Sequence, residues 1–491
     1  MSPNLALIVP FSAAGLAALI ALVADGLGRY RIGALVSSVL LLAASVAAGA
    51  AALTTGPEPV WQSFMVGAGY SGAMCVVYLL AAASNFALSD HIEASQGALS
   101  ALIALSAMAA AALAGALDRV MILILLEALA VLGYAIVSSA RTPEAAEAAM
   151  KFFVQGTIAT AVYLLAMAAR LAAGAPLTGT AALSAEVTST AVAVVSSALV
   201  LVAFSFKLGA FPFHSWAPDA YDTAPPEGAA FLSSAVKVAA FAALFGLLTS
   251  VVEPTGTSGQ VRFLVASVAA GSVIFGNLAA LAQQRYGRML AFSGIAQVGY
   301  GLIAVATGNG RALLLFAVCY AVAVSGAFLT ADAVRARRPA WEGTIAGLAG
   351  LAREAPLLSA SLSVFLLSMT GIPPLLGFWG KFLVFLNAAP TDLLWLVIVG
   401  VLGSVVSFGY YGRVIRVMYF DPNEATTVGH STQPAGDEDS GAQRHARTEA
   451  VVVILAALVI LAGVYLLVFG LATAIGGGQS YGVLQLLPFA Q

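Results

Sequence analysis

Charged residues are scarce in this chain of 491 residues: only 9% are Asp, Glu, Lys or Arg, against about a quarter in a soluble protein. Hydrophobic residues make up 61%, and the mean hydropathy is +0.97. A chain this apolar could not keep its surface in water, so the lipid bilayer is its solvent. The apolar runs are continuous and do not alternate, which excludes a membrane β-barrel and predicts an all-α polytopic membrane protein.

Cysteine is nearly absent as well. Cys75 and Cys319 both lie inside apolar runs, and two cysteines so far apart supply neither an iron–sulfur cluster nor a zinc site. A disulfide framework is excluded for the same reason. The net charge of -2 and the lack of basic tracts give no indication of nucleic acid as a partner. We therefore expect a chain without a cofactor or metal of its own.

Apolar runs separated by short polar segments predict about fourteen transmembrane helices, each of roughly 20 residues. Their approximate bounds are 4–23, 32–53, 67–87, 98–116, 119–140, 150–172, 187–218, 228–250, 261–283, 286–307, 312–332, 355–389, 391–418 and 449–475. The one long connection, residues 420–448, mixes acidic and basic residues. That mixture predicts a mobile polar loop at the surface.

Two of these runs have the wrong length for a single helix. The only formal charge in residues 187–218 is Lys207, and the only one in residues 355–389 is Lys381. As continuous helices the runs would extend about 48 and 52 Å, against a hydrocarbon core of about 30 Å. Neither run is long enough for two spans and a turn. We therefore expect each run to be one interrupted helix.

Helix breakers lie near the middle of both runs: Pro212 in the first, and Gly371, Pro373 and Pro374 in the second. A proline removes one backbone donor and clashes with the preceding turn. Backbone groups freed at membrane depth are tolerated only inside protein or beside a wet cavity. Two broken helices in corresponding places therefore predict an internal repeat with functional sites at the breaks.

Inverted repeats of about five helices each, spans 4–8 and 9–13, fit this pattern. The predicted segments are an N-terminal three-helix segment (1–97), a first repeat (98–250), a second repeat (251–419), the polar cytoplasmic loop (420–448) and a last helix with its tail (449–491). Of the 21 basic residues, fourteen fall on one side of the predicted bundle, four on the other and three inside spans. By the positive-inside rule, both termini face away from the cytoplasm.

Charges also occur where the bilayer makes them costly. Three of the four lysines, Lys207, Lys237 and Lys381, lie within predicted spans, and Glu127 lies near mid-bilayer in the fifth. Four unpaired charges at helix centres would cost on the order of 10 kcal/mol. A lysine can gain and lose a proton as its surroundings change, whereas an arginine stays protonated. The use of lysine therefore favours proton transfer over static pairing.

Simpler interpretations stay open for these residues. The lysines could form structural ion pairs or contact the carbonyls of a broken helix, and Glu127 could be a protonated, inert carboxyl. His214 follows the first break and could relay protons or be a hydrogen-bonded loop histidine. Packing or interface anchoring explains Trp216 and Trp379. Three acids after the first break are interpreted as solvated loop residues: Asp219, Asp222 and Glu227.

The charges and breaks belong to longer motifs. These are LILLEALAVLGYAIVSS, AEAAMKFFVQGTIAT, FKLGAFPFHSWAPDAY, AFLSSAVKVAAF, RMLAFSGIAQVGY and LSMTGIPPLLGFWGKFLVF. Together, and in this order, they closely resemble the N-type antiporter-like membrane subunits of respiratory complex I, the proton-pumping NADH:quinone oxidoreductase. The resemblance extends from about residue 110 to 420.

This resemblance implies fourteen helices, two of them interrupted, and a proton path formed by Glu127, Lys207, Lys237 and Lys381. It implies that the partners are the other membrane subunits of a complex I-type assembly, including sister antiporter-like subunits, in the cytoplasmic membrane of a bacterium. NADH, FMN, iron–sulfur clusters and quinone are expected in partner subunits and not in this chain.

Three residues depart from the family pattern: Glu227 replaces a second proline, Gly287 replaces a basic residue, and Gln297 occupies a position that is frequently histidine. A divergent subunit of a multisubunit Na⁺/H⁺ antiporter or a membrane-bound hydrogenase is therefore an alternative. A structural subunit whose charges only fix assembly is another.

The main hypothesis is a switchable pair of Glu127 and Lys207. Separating the two passes a proton from Lys207 towards Lys237, and Lys381 then exchanges with the far side. Redox chemistry in partner subunits supplies the energy, because this chain has no nucleotide loop, cluster ligands or visible quinone site.

Overall fold

The computed structural model describes residues 2–56, 58–60, 64–66, 68–90, 95–178, 189–255, 258–422 and 446–475. These residues are almost entirely helical, which confirms the all-α polytopic class. Thirteen of the described helices are long and apolar enough to cross a membrane. Most of the long polar loop, residues 423–445, lies outside the description.

The first half of the chain begins with paired helices and a small hairpin. Its helices are α1 (Pro3–Gly26), α2 (Tyr30–Thr54), α3 (Ala68–Leu88), α4 (Ser95–Gly115), α5 (Arg119–Ser138), α6 (Pro143–Ala172), α7 (Thr190–Leu208), α8 (Trp216–Thr223), α9 (Pro226–Ser233) and α10 (Ala235–Thr255). The hairpin pairs β1 (Glu58–Val60) antiparallel with β2 (Phe64–Val66), and the sequence did not predict it.

The second half contains the second broken span. Its helices are α11 (Ser258–Leu281), α12 (Tyr286–Ala306), α13 (Gly310–Arg337), α14 (Leu351–Glu354), α15 (Pro356–Thr370), α16 (Leu376–Ala388), α17 (Leu394–Phe420) and α18 (Ala446–Ile475). In each predicted repeat the broken helix is the fourth span. The inverted relation between the repeats stays a prediction.

Helix α6 begins seven residues before the predicted start of its span. Thr142 caps it, since its hydroxyl oxygen accepts a hydrogen bond from the backbone N–H of Ala145, and Pro143 occupies the first turn. The extra residues, PEAAEAA, are too polar to be predicted as part of a transmembrane span. They nevertheless continue the helix beyond the apolar stretch.

The centre of the bundle is formed by α12, which is almost wholly buried, together with α13 and the stretch α9–α10. The outer helices instead carry large exposed apolar side chains: Leu19, Val39, Ile158, Val405 and Leu461. An apolar exterior is expected where lipid is the solvent. The core therefore lies around the helices that carry Lys237 and its neighbours.

The last helix, α18, is held against the second broken span. The indole N–H of Trp379 donates a hydrogen bond of 3.1 Å to the carbonyl of Gly463. A Cβ at Gly463 would come within 2.2 Å of the Pro374 carbonyl oxygen, so only glycine permits this approach.

Replacing Gly463 by alanine is expected to lower the free energy of unfolding by about 1 to 3 kcal/mol, because the added methyl group meets rigid backbone. Thermal unfolding of the detergent-purified chain measures the change. Gly412→Ala in α17 is the matched control, since its Cβ would meet no atom closer than 4.0 Å. Equal effects of the two substitutions would contradict the close contact.

Candidate functional site

The first break lies just after α7. Gly209 has a φ of +72°, a conformation that side chains disfavour, and the N–H of Ala210 returns to the carbonyl of Ser205. The indole N–H of Trp216 donates to the Phe206 carbonyl at 2.9 Å. The same carbonyl also accepts from the N–H of Gly209, so Trp216 adds a second hydrogen bond at the end of α7, in addition to packing.

Lys207 lies one residue before the end of α7 and shares a cavity of about 30 Å³ with Glu127. The carboxylate of Glu127 accepts a hydrogen bond from the hydroxyl of Thr160 in α6. Among the described residues, no ion pair of 4.0 Å or less joins the lysine to the glutamate. The cavity has the volume of about two water molecules. The pair is therefore arranged as separated partners across a small space that apolar side chains line for the most part.

The eighth span has an interruption that the sequence did not predict. Helix α9 ends at Ser233, and Ser234 (φ -115°, ψ -79°) separates it from α10 without a proline or glycine. The Ser234 hydroxyl donates to the Ala230 carbonyl at 2.5 Å and accepts from the Ser325 hydroxyl at 2.8 Å. The only sequence signal was the serine pair, because serine side chains compete for backbone carbonyls.

Lys237 lies less than one turn after this interruption and is 3% exposed. Its ammonium donates to the Gly294 carbonyl and to the Tyr320 hydroxyl, both at 3.3 Å. The nitrogen also lies 5.6 Å from the ring centre of Tyr221 and 5.4 Å from that of Tyr320. Within the described chain no carboxylate pairs with Lys237, so neutral groups alone hold this amine.

Lys381 occupies the second break, between α15 and α16. Gly371 has a φ of +94°, and the Lys381 ammonium donates to the adjacent Thr370 carbonyl at 3.2 Å. It also donates to the Ser404 hydroxyl at 3.3 Å and lies 4.1 Å from the ring centre of Tyr300. Carbonyls at a helix C-terminus carry partial negative charge, which favours a cation. The interpretation of a lysine on the carbonyls of a broken helix therefore describes Lys381.

Gln297 of α12 lies between the surroundings of the two buried lysines. Its side-chain amide donates to the Met369 carbonyl at 2.9 Å, next to the carbonyl that Lys381 contacts. Gln297 is one turn along α12 from Gly294, whose carbonyl accepts from Lys237. A glutamine can donate and accept, but it cannot titrate as histidine does. This departure from the family pattern therefore falls at the junction of the two lysine environments.

His214 is half-buried against aromatic rings. Its ring centre lies 5.7 Å from that of Phe211 and 4.4 Å from that of Phe275. Its Nδ1 has no hydrogen-bond partner among the described residues. The structure brings His214 into hydrogen-bond contact with none of the three intramembrane lysines, so its role as a relay stays a prediction.

Asp219 is part of a charged cluster and not a freely solvated loop acid. It accepts hydrogen bonds from Lys151 at 2.9 Å and from Arg288 at 2.6 Å. Burial raises the pKa of this carboxyl, but the two cationic donors outweigh burial and hold its pKa below the ordinary value of 3.8. The cluster joins α6, α8 and α12.

The interpretation as solvated acids is also wrong for Asp222, whose side chain is only 9% exposed and ion-paired, and for Glu227, which is buried. Asp222 accepts a hydrogen bond of 2.5 Å from Arg285. A Cβ at Gly287 would lie 2.7 Å from the Asp222 carboxylate, so a larger residue does not fit there. Arg285 therefore supplies the positive charge that Gly287 lacks.

Comparisons with known proteins agree with this arrangement. A family model described as NADH:quinone oxidoreductase/Mrp antiporter, transmembrane, matches residues 116–407. The chain is 32% identical over 426 residues to NADH-quinone oxidoreductase subunit N of Salinibacter ruber, and the alignment covers 82% of each chain. It is 33% identical over 465 residues to NADH-quinone oxidoreductase subunit N 2 of Acidobacterium capsulatum, covering 88% of this chain and 93% of the relative.

Solved structures share the fold. A chain of respiratory complex I from Thermus thermophilus has a TM-score of 0.75 and 27% identity, covering 92% of this chain and 97% of that one. A chain of the archaeal membrane-bound sulfane sulfur reductase has a TM-score of 0.80 and 25% identity, covering 99% of both. A chain of the Mrp complex from Dietzia sp., at 19% identity and a TM-score of 0.77, covers 100% of this chain and 96% of its own, and shows the fold alone.

Broken spans with lysines beside the breaks define an antiporter-like membrane subunit. With the family model and the relatives above, the chain belongs to the NADH:quinone oxidoreductase/Mrp antiporter transmembrane family.

The charged cluster predicts a pH-dependent contribution of Asp219 to stability. A carboxyl whose pKa is lowered by folding stabilises the folded state above its unfolded pKa, and this contribution is lost as the pH falls through the lower, folded pKa. The wild type is therefore expected to exceed Asp219→Asn in thermal stability near neutral pH, with the difference shrinking below about pH 4. Melting curves of both proteins between about pH 3 and 7 measure it. A difference that grows in acid would contradict the assignment.

Proposed function

We propose that this chain is a non-redox, proton-translocating membrane subunit of a complex I-type NADH:quinone oxidoreductase, equivalent to subunit N. One observation carries the proposal: three lysines lie at or beside helix interruptions, each among groups that can donate or accept a hydrogen bond. The names of the relatives support the type of complex. NADH, FMN, iron–sulfur clusters and quinone belong, in this proposal, to partner subunits.

Proton transfer begins at Glu127 and Lys207. The two charges attract when they approach, and the attraction weakens as they separate across their cavity. A lysine that loses its acidic partner in a buried place gives up its proton more readily. Separation of the pair therefore drives a proton from Lys207 towards Lys237, whose own contacts are neutral groups.

Transfer continues along α12 towards the second break. Gln297 lies between the carbonyls that face Lys237 and Lys381, and the Ser404 hydroxyl beside Lys381 donates to the Tyr300 hydroxyl at 3.3 Å. Lys381 then exchanges its proton with the far side. Each charge moved against 100 mV needs about 2.3 kcal/mol, which redox chemistry in partner subunits supplies.

The orientation follows from the basic residues. The cluster of Lys151, Arg285 and Arg288 lies on the side that is rich in positive charge, which we assign to the cytoplasm of a bacterium. Both termini then lie on the non-cytoplasmic side of the inner membrane.

A second candidate is a subunit of a multisubunit Na⁺/H⁺ antiporter or of another respiratory membrane complex. The TM-score of 0.80 to the sulfane sulfur reductase chain is at least as high as the 0.75 to the complex I chain, so the fold by itself does not distinguish the two candidates. The names of the sequence relatives favour complex I. Activity that depends on sodium and not on NADH would support the second candidate.

Substituting Lys207 tests the proton pair. In the assembly reconstituted in vesicles, Lys207→Ala is expected to lower proton translocation by about tenfold or more, because the group that alternates between Glu127 and Lys237 is lost. Lys151→Met is the matched control: it removes the one lysine outside the proposed path, at the surface, and is expected to leave translocation near the wild-type rate. Near-normal translocation by Lys207→Ala would count against the pair.

The same measurement separates transport from a structural role. If Lys237→Met and Lys381→Met assemble normally and still translocate protons, the charges only fix assembly.

Gln297 tests the link between the two lysines. Gln297→Leu removes the hydrogen bond to the Met369 carbonyl and is expected to slow translocation severalfold, whereas Gln297→His keeps a donor and is expected to retain it. The initial rate of vesicle acidification, with assembly checked in parallel, measures both. If leucine is tolerated as well as histidine, the proton does not pass this residue.

A further inference from the structure

A cavity of about 300 Å³ lies between α3, α10 and α13, apart from the proposed proton path. Tyr70 lines it from the first turn of α3, and Gly310 and Arg311 line it from the first turn of α13. The last lining residue of α13 is Ala317, and an α-helix rises about 10 Å from Gly310 to this position. The cavity therefore extends about 10 Å into the bundle from the ends at which these two helices begin.

The deeper walls of this cavity are apolar side chains. Phe241 and Phe245 come from α10, and Leu313 and Leu314 come from α13. Protein interiors hold few voids larger than a water molecule, and water is a poor occupant of an apolar space because it needs polar partners there. A volume of about 300 Å³ is within the range of pockets that hold organic ligands. The walls therefore point to an apolar occupant such as a hydrocarbon chain.

The mouth of the cavity carries a positive charge. Arg311 is the second residue of α13 and is exposed. A cation in this position lies at the positive end of the helix dipole, which is unfavourable and is offset by a nearby anion. Asn309 already caps the helix, since its side-chain oxygen accepts a hydrogen bond from the Ala312 N–H. The guanidinium, and not the end of the helix, is therefore the group that binds an anion here.

The residues at the mouth are typical of the surface of a membrane. Tyrosine and arginine both place an apolar ring or stem in the hydrocarbon and a polar tip in the headgroup layer. A guanidinium also matches the oxygens of a phosphate group in geometry as well as in charge. An apolar pocket beneath the Arg311 guanidinium therefore fits an amphiphile of the surrounding bilayer that has an anionic headgroup.

We propose that this cavity binds one acyl chain of an anionic phospholipid, whose phosphate group is bound by Arg311 at the mouth. The acyl chain lies against Phe241 and Phe245 and reaches the level of Val238, the residue that follows Lys237. The lipid thus fills the space beside the helix that carries Lys237 and joins α10 to α3 and α13.

The test measures the melting temperature of the delipidated full chain in detergent with added phosphatidylglycerol or phosphatidylcholine. Phosphatidylglycerol is expected to raise the melting temperature by about 2 to 4 °C in a saturable way, because a ligand that binds only the folded state stabilises it. Phosphatidylcholine, whose choline group repels Arg311, is expected to act only at about tenfold higher concentration. Phosphatidylglycerol with brominated acyl chains locates the site, since the bromine atoms are expected inside the cavity.

Three variants make the test specific. Arg311→Gln is expected to shift the midpoint for phosphatidylglycerol to about tenfold higher lipid and to remove the difference between the two lipids. Arg353→Gln is the matched control, because Arg353 is an exposed arginine in α14, near the other end of α13, and it is expected to respond as the wild type does. Ala242→Phe places a ring in the cavity and is expected to abolish the response to both lipids.

Three outcomes would overturn the proposal. The first is a phosphatidylglycerol response that equals the phosphatidylcholine response in the wild type or is unchanged in Arg311→Gln, because the headgroup would then not be recognised. The second is bromine found only on the outer faces of the bundle. The third is a lipid response that requires removal of residues 476–491, which lie outside the described residues, because the chain itself would then be the occupant.

Discussion

Every polar group inside a membrane protein needs a partner from the protein itself, and the broken spans of this chain are arranged around that requirement. At the first break an indole, Trp216, takes the Phe206 carbonyl. At the second, the Ser368 hydroxyl accepts from the Gly377 N–H and the Lys381 ammonium takes the Thr370 carbonyl. The interruptions are therefore closed by specific side chains, which gives them a defined shape in which a charge can be placed.

The lysines beside the interruptions have different surroundings. Lys207 faces an acid across a cavity, Lys237 lies among tyrosines and a carbonyl, and Lys381 contacts the C-terminal carbonyls of a half-helix. Among the described residues, only Lys207 of the three lysines faces an acidic side chain, so only Lys207 loses an electrostatic attraction when that side chain moves away. A redox-driven movement in a partner subunit that separates Glu127 from Lys207 would therefore act first on Lys207. Lys237 and Lys381 would then respond to the proton that leaves Lys207.

Much of this arrangement could be predicted from the sequence. Run lengths, prolines and the rarity of lysine indicated the broken spans at Pro212 and Pro373 and the buried charges. The interruption at Ser234 could not be predicted, because no proline or glycine marks it and the hydroxyl contacts that stabilise it come from a distant helix. The pairing of Asp222 with Arg285 was missed for a related reason: the two residues are 63 positions apart and meet only in the fold.

The buried arginines and the buried lysines of this chain lie in different places. Arginine keeps its proton, so Arg119 and Arg170 carry a fixed positive charge at the ends of α5 and α6. Lysine can release its proton, so Lys237 can occupy a site lined by neutral groups. A lysine in place of Arg119 or Arg170 could release its proton and lose its charge. An arginine in place of Lys237 could not release its proton and would block transfer. The distribution of the two residues thus separates charge that is fixed from charge that can be exchanged.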